Sequence, residues 1–111
     1  MGDGNDTFAT AQLVSVGSST AGVISSLSDP DWYKFTTTGA GTITVTLSGL
    51  SADADLQLYG ELQSLLRAES LNAGTVNEIV TSTAAGPINY HVLVVPLASA
   101  TPYMLTVSFA P

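Results

Sequence analysis

Oxygen ligands are the chemistry most concentrated in this chain. Asp3, Asn5 and Asp6 lie within four residues, and Gly4 between them permits the tight backbone that such clustering requires. A second pair, Asp29 and Asp31, flanks Pro30 and runs straight into Trp32-Tyr33-Lys34-Phe35. A calcium ion takes about six to eight hard oxygens from several carboxylates and backbone carbonyls, so either group could supply part of a shell. Each also has a reading without a metal. Asp6 can cap a turn at a polar terminus, and Asp31 can accept backbone N–H bonds that fix the turn into the strand. Pro30 holds its own φ and favours an extended Asp29. Asp53 and Asp55 stand at the start of another strand, where a solvated or turn-capping role fits them. Gly2-Asp3-Gly4-Asn5-Asp6-Thr7-Phe8 also matches the register of a calcium-binding β-roll repeat, Gly-x-Gly-x-Asp-x-apolar. Such a roll needs several stacked copies to bury anything, and the sequence holds one.

Other chemistries find little to work with. There is no cysteine, and His91 is the only histidine, so a zinc centre of usual composition cannot be assembled. No Gly-x-Ser-x-Gly elbow occurs, and no Ser or carboxylate near His91 makes a triad pattern. An enzyme would have to work with carboxylates alone, in a cleft deeper than a compact 111-residue sandwich supplies. The expectation is a domain without catalytic activity. Two basic residues, Lys34 and Arg67, against nine acidic ones leave a net charge of −7. That balance excludes a nucleic-acid footprint and is repelled by anionic membrane surfaces. No apolar run approaches the length of a membrane span, so membrane insertion is not expected, and no basic-then-apolar leader is present. Met1-Gly2 and the abrupt stop at Pro111 read as a domain cut from a longer protein. With 14 Thr and 13 Ser against one Lys and one Arg, the solvent faces rely on hydroxyls, a habit of secreted bacterial β-domains.

The elements that must position these groups are strands. Thr42–Ser48 sets Ile43, Val45 and Leu47 on one face and hydroxyls on the other, the alternation of a half-buried antiparallel strand. Asp55–Tyr59 repeats it with Leu56 and Leu58, and Tyr103–Phe109 with Tyr103, Leu105, Val107 and Phe109. Shorter candidates are Gln12–Val16, Gly22–Ser25, Leu65–Ser70 and Asn77–Thr81. Asn89–Val95 is apolar on both faces after Tyr90, which makes it a central strand or one covered by a partner. Thr7–Leu13 is a short helical turn or an extended lead-in. Turn signals recur about every ten residues along the whole chain, the spacing of a sandwich rather than of βαβ units. The expected fold is all-β: one domain over residues 1–111, an antiparallel jelly-roll-like sandwich of eight or nine strands, with residues 1–8 as a lead-in able to bind a cation.

Alternation also sorts the ligand candidates. Trp32 and Lys34 share one face and Tyr33 and Phe35 the other. Lys34 wants water, so Tyr33 and Phe35 take the core, and Trp32 is partly exposed, as a ligand-contact aromatic or as rim packing under a loop. On Asn89–Val95, Tyr90, Val92 and Val94 point inward and leave His91, Leu93 and Val95 outward. Trp32, His91 and Leu93 are therefore the candidate ligand-binding set.

In order, the chain carries Asn5-Asp6, Gly22-Val23-Ile24, Asp29-Pro30-Asp31-Trp32-Tyr33-Lys34-Phe35, Gly41-Thr42-Ile43-Thr44-Val45, Asp53-Ala54-Asp55-Leu56-Gln57-Leu58-Tyr59, Tyr90-His91-Val92 and Tyr103-Met104-Leu105-Thr106-Val107. This series resembles the bacterial pre-peptidase C-terminal domain, a β-sandwich appended to secreted proteases and other exoenzymes, and is similar to the collagen-binding domains of clostridial collagenases. The resemblance implies a non-catalytic accessory module of a secreted bacterial enzyme. Its partners would be the parent catalytic domain or a polymeric extracellular substrate such as collagen or polysaccharide. It also implies calcium, held by Asp3, Asn5 and Asp6 with Asp29 or Asp31; relatives that bind calcium often carry a further acidic residue upstream, where this chain has Met1. Collagen-binding relatives present outward aromatics, whereas the outward row of Asn89–Val95 is apolar and also suits packing against the parent enzyme or a second copy. A structural spacer or adhesion domain of a surface protein, and a pro-domain cleaved after aiding secretion, are the alternatives.

Overall fold

The alternating segments pair into two sheets that face each other across one apolar layer. The structure, a computed structural model, describes residues 8–24, 30–61, 66–71, 74–97 and 100–111. After a single 3-10 turn at Phe8–Thr10 come β1 (Gln12–Leu13), β2 (Ser19–Ile24), β3 (Asp31–Thr36), β4 (Ala40–Ser48), β5 (Ala54–Tyr59), β6 (Leu66–Ser70), β7 (Glu78–Ala85), β8 (Asn89–Pro96) and β9 (Thr101–Ala110). One sheet has the order β1-β3-β8-β5-β6 and the other β2-β9-β4-β7. Asn89–Pro96 is the middle strand of the five, which accounts for its apolar residues on both faces.

All strand pairs among the described residues are antiparallel except β1 with β3, which run parallel through Gln12↔Tyr33 and Leu13↔Lys34. The pairing expected up to Val16 stops early because the chain changes sheets there. Val14 N–H donates to the Lys34 carbonyl at 2.9 Å, and three residues later Gly17 N–H donates to Val107 in the opposite sheet at 2.7 Å. Gly17 makes that turn at φ 88°, a left-handed conformation that favours glycine. At the other extreme β7 runs on to Ala85, pairing Ala40–Leu47 throughout.

Inward residues from both sheets make the core: Tyr33, Phe35, Leu56, Leu58, Tyr90, Val92 and Val94 from one side, and Ile24, Ile43, Val45, Leu47, Val80, Leu105 and Val107 from the other. Each such aliphatic or aromatic side chain contributes about 1.5–3 kcal/mol on leaving water. The opposite face of the four-stranded sheet carries hydroxyls in register, with Thr44 between Thr81 and Ser108, and Thr106 between Thr46 and Ser19.

Candidate functional site

Three groups of polar and aromatic side chains carry the candidate chemistry. The first is Asp31, which β3 places on the same side as Tyr33 and Phe35. Its carboxylate is fully buried between the sheets. The Tyr103 hydroxyl from β9 donates to Asp31 Oδ2, and the Tyr33 and Tyr103 hydroxyls lie 2.5 Å apart. Tyr103 spends its one proton on Asp31, so Tyr33 donates to Tyr103 and the three form a relay from sheet to sheet. Burial first, then the bonds to Asp31 and Tyr33, push the Tyr103 phenol above its ordinary value. Gly22, opposite Tyr103 in the β2–β9 register, makes the room: a Cβ there would sit 2.7 Å from ring carbon Cε1 of Tyr103. Of the five residues expected to hold calcium, Asp3, Asn5, Asp6 and Asp29 lie outside the described residues. Asp31 meets Tyr103 through one of its two oxygens.

The second group covers the outer side of the five-stranded sheet. Trp32, expected to be partly exposed, is only 5% exposed. The Phe8 ring meets its indole edge-on at 5.3 Å, and Tyr59 tilts against it at 5.2 Å. Phe8 also stacks on His91 at 3.8 Å and leaves that outward histidine 9% exposed. The Gly60 carbonyl lies 2.9 Å from His91 Nδ1, so Nδ1 carries a proton and donates. Leu93, half-buried, sits opposite Trp32 on β3 and Gln57 on β5. The face is thus more aromatic than the row on β8 alone suggested. Tyr59 and Phe8, far apart in sequence, supply the difference; the signal was Tyr59 sharing the outward parity of Gln57 at the end of β5. Beside this stack lies a groove of about 370 Å³ lined by Leu13, Lys34, Phe35, Thr36, Asn89 and His91. Thr36 donates to Asn89 Oδ1 at 2.6 Å across its wall.

The third group was not anticipated as a group. Asp53 and Asp55, expected to be solvated or turn-capping, converge with Glu78, and one carboxylate oxygen from each lies within 4.8 Å of the others. Asp55 is 7% exposed and Glu78 fully buried. Asp55 sits one residue beyond the last pairing of β6, Leu56↔Ser70, so the sheet edge is open beside it. Glu78 begins β7 in the other sheet, where Ser70 donates to its Oε1 at 2.6 Å. Burial, followed by Glu78, Asp53 and Glu69, raises the Asp55 carboxyl to about 6. Nothing in the sequence marks this meeting, because Glu78 belongs to a different sheet.

Comparison with known proteins identifies the family of the fold. The family model of the bacterial pre-peptidase C-terminal domain matches residues 29–108. The pre-peptidase C-terminal domain of a Bacillus anthracis collagenase superposes with a TM-score of 0.76 at 18% identity, over 88% of this chain and 94% of that one. A periplasmic inhibitor of g-type lysozyme from Salmonella Typhimurium gives 0.59 at 21% identity, over 91% and 100%. A family 6 carbohydrate-binding module gives 0.50 at 10% identity, over 89% and 98%. At these identities the likeness is one of fold. No curated protein sequence matches the chain. The match over residues 29–108, which takes in the acidic-aromatic start of β3 and the Asp-x-Asp-Leu-x-Leu strand β5, makes this chain a member of the bacterial pre-peptidase C-terminal domain family, the non-catalytic C-terminal accessory domains of secreted peptidases.

Proposed function

We propose that this domain anchors the catalytic part of a secreted bacterial enzyme to a polymeric extracellular substrate, and that the polymer lies along the outer side of the five-stranded sheet. The observation that carries this reading is the groove beside the aromatic stack. Its lining combines an apolar wall (Leu13), a cation (Lys34), a hydroxyl and an amide (Thr36, Asn89) and an imidazole (His91). A concavity in which polar groups converge beside an apolar wall can hold and orient a ligand. In this reading His91 contacts the ligand, Trp32 supports the Phe8 ring that stacks on His91, and Leu93 extends the surface. The domain performs no chemistry of its own; its effect is to raise the concentration of substrate near a tethered active site.

The same proposal includes a structural calcium held by Asp3, Asn5 and Asp6 with Asp29 or Asp31. A melting temperature that rises with millimolar Ca²⁺ and drops with chelator, and an Asp6→Ala variant that loses that response, support it; no response from either protein sinks it.

Retention on insoluble collagen, chitin or cellulose tests the anchoring role. The expected result is that at least one polymer depletes the domain from solution, and that Lys34→Ala or Asn89→Ala weakens retention without lowering thermal stability. One observation favours a second reading, a spacer or adhesion unit: Leu71, Val76 and Ile79 are each more than half exposed around the β6–β7 connection. A domain that binds none of the polymers would select that reading.

A further inference from the structure

We infer that Asp53, Asp55 and Glu78 form a calcium-binding site that clips the five-stranded sheet to the four-stranded one at the open edge beside β6. The cluster is distinct from the acidic residues ahead of β3. Its members come from the start of β5 in one sheet and the start of β7 in the other.

Clustering alone would not make a site. What points to a ligand is the state of the oxygens. Asp55 is more than nine-tenths buried, and its Oδ1 has no hydrogen-bond partner among the described residues. Asp53 Oδ1, also buried, likewise has none. The charges that act on Asp55 are those of Glu78, Asp53 and Glu69, all of its own sign. Buried carboxylate oxygens are ordinarily satisfied, and a group of like charges held together in a protein interior needs a counter-charge or a shared proton. The chain has few to offer. Lys34 is in the groove on β3, and Arg67 is an exposed residue of β6. A divalent cation supplies the missing charge and takes both lone oxygens as ligands.

The donors select the metal. All are carboxylate oxygens, with no histidine or thiolate, which suits a hard cation. Calcium holds its ligands at about 2.3–2.6 Å, so two oxygens on opposite sides of the ion stand about 5 Å apart. Oxygens within 4.8 Å of one another fit that shell as they lie. Magnesium, at about 2.0–2.1 Å, needs every pair within about 4.2 Å and a stricter octahedron. Water would complete the shell. Ser70, which donates to Glu78 Oε1, fixes the carboxylate that crosses from the second sheet.

The test uses this domain, stripped with chelator, and Mn²⁺ as a paramagnetic probe of oxygen sites. The structure predicts that Mn²⁺ broadens the backbone amide signals of Ala54, Asp55, Leu56, Glu78 and Ile79, and that Ca²⁺ reverses the broadening. Glu78→Gln should weaken Ca²⁺ binding at that site by at least about tenfold, since affinity follows ligand charge. Asp53→Asn, at a half-buried position where folding is less at risk, should do the same, whereas Asp6→Ala should leave these signals as they are. Broadening confined to other residues, or Ca²⁺ affinity unchanged in both Asp53→Asn and Glu78→Gln, overturns the inference.

Discussion

Replacing Tyr103 with phenylalanine removes one oxygen and breaks two hydrogen bonds. The first is the bond to the buried Asp31 carboxylate, of the charge-assisted kind that contributes about 1.5–3 kcal/mol. The second is the neutral bond from Tyr33, nearer 1 kcal/mol. The ring itself stays over Gly22, so no large cavity opens. The expected loss is roughly 3 kcal/mol, or about 12 °C in melting temperature for a domain of this length. Tyr33→Phe breaks only the second bond and should cost about 1 kcal/mol. Urea unfolding of the two single variants and the double variant measures this directly. Because Tyr103→Phe already disconnects Tyr33, the double variant should be little worse than Tyr103→Phe alone. A Tyr103→Phe cost below about 1 kcal/mol, or equal costs for the two single variants, would refute the relay and the direction of donation inferred for it.

Gly22→Ala pushes a methyl group into the Tyr103 ring and should destabilise the domain by about 1–3 kcal/mol, the usual range for overpacking, read as an earlier urea midpoint. Phe8→Ala uncovers Trp32, the only tryptophan, so the intrinsic fluorescence should shift to longer wavelength while far-ultraviolet dichroism is unchanged; an unmoved spectrum would contradict the packing of Phe8 on that face. Tyr103 gives the stability a dependence on alkaline pH. Its phenol is raised in the folded state, so its contribution is whole below the unfolded value of 10.0 and is lost as pH climbs beyond it. Stability should therefore fall above pH 10, and more gently in Tyr103→Phe.

The strands that alternate cleanly are those whose solvent faces carry hydroxyls. Thr42–Ser48 and Tyr103–Phe109 could be read because Thr and Ser contrast with Ile, Val and Leu at every second position. The end of β7 could not, since of Ser82-Thr83-Ala84-Ala85, which pairs with β4, only Thr83 favours a strand and no large apolar residue marks the inward face. The parallel meeting of β1 with β3 was equally hidden, because two residues of pairing depend on where the chain crosses between sheets. Sites followed the same division. His91 and Leu93 came from parity along one strand, and so did the inward Tyr33. The burial of Trp32 depended on Phe8 and Tyr59, and the acidic cluster on Glu78, which alternation along β5 cannot reveal.

The groove flanked by Lys34, Asn89 and His91 is the proposed seat of the polymer. Its most direct measurement is a depletion isotherm on the polymer that retains the wild-type domain, repeated with Lys34→Ala. Affinity should weaken about tenfold, a loss of roughly 1.4 kcal/mol, with an unchanged melting temperature. Equal isotherms for the two proteins, or no retention of the wild type on any of collagen, chitin and cellulose, would contradict it.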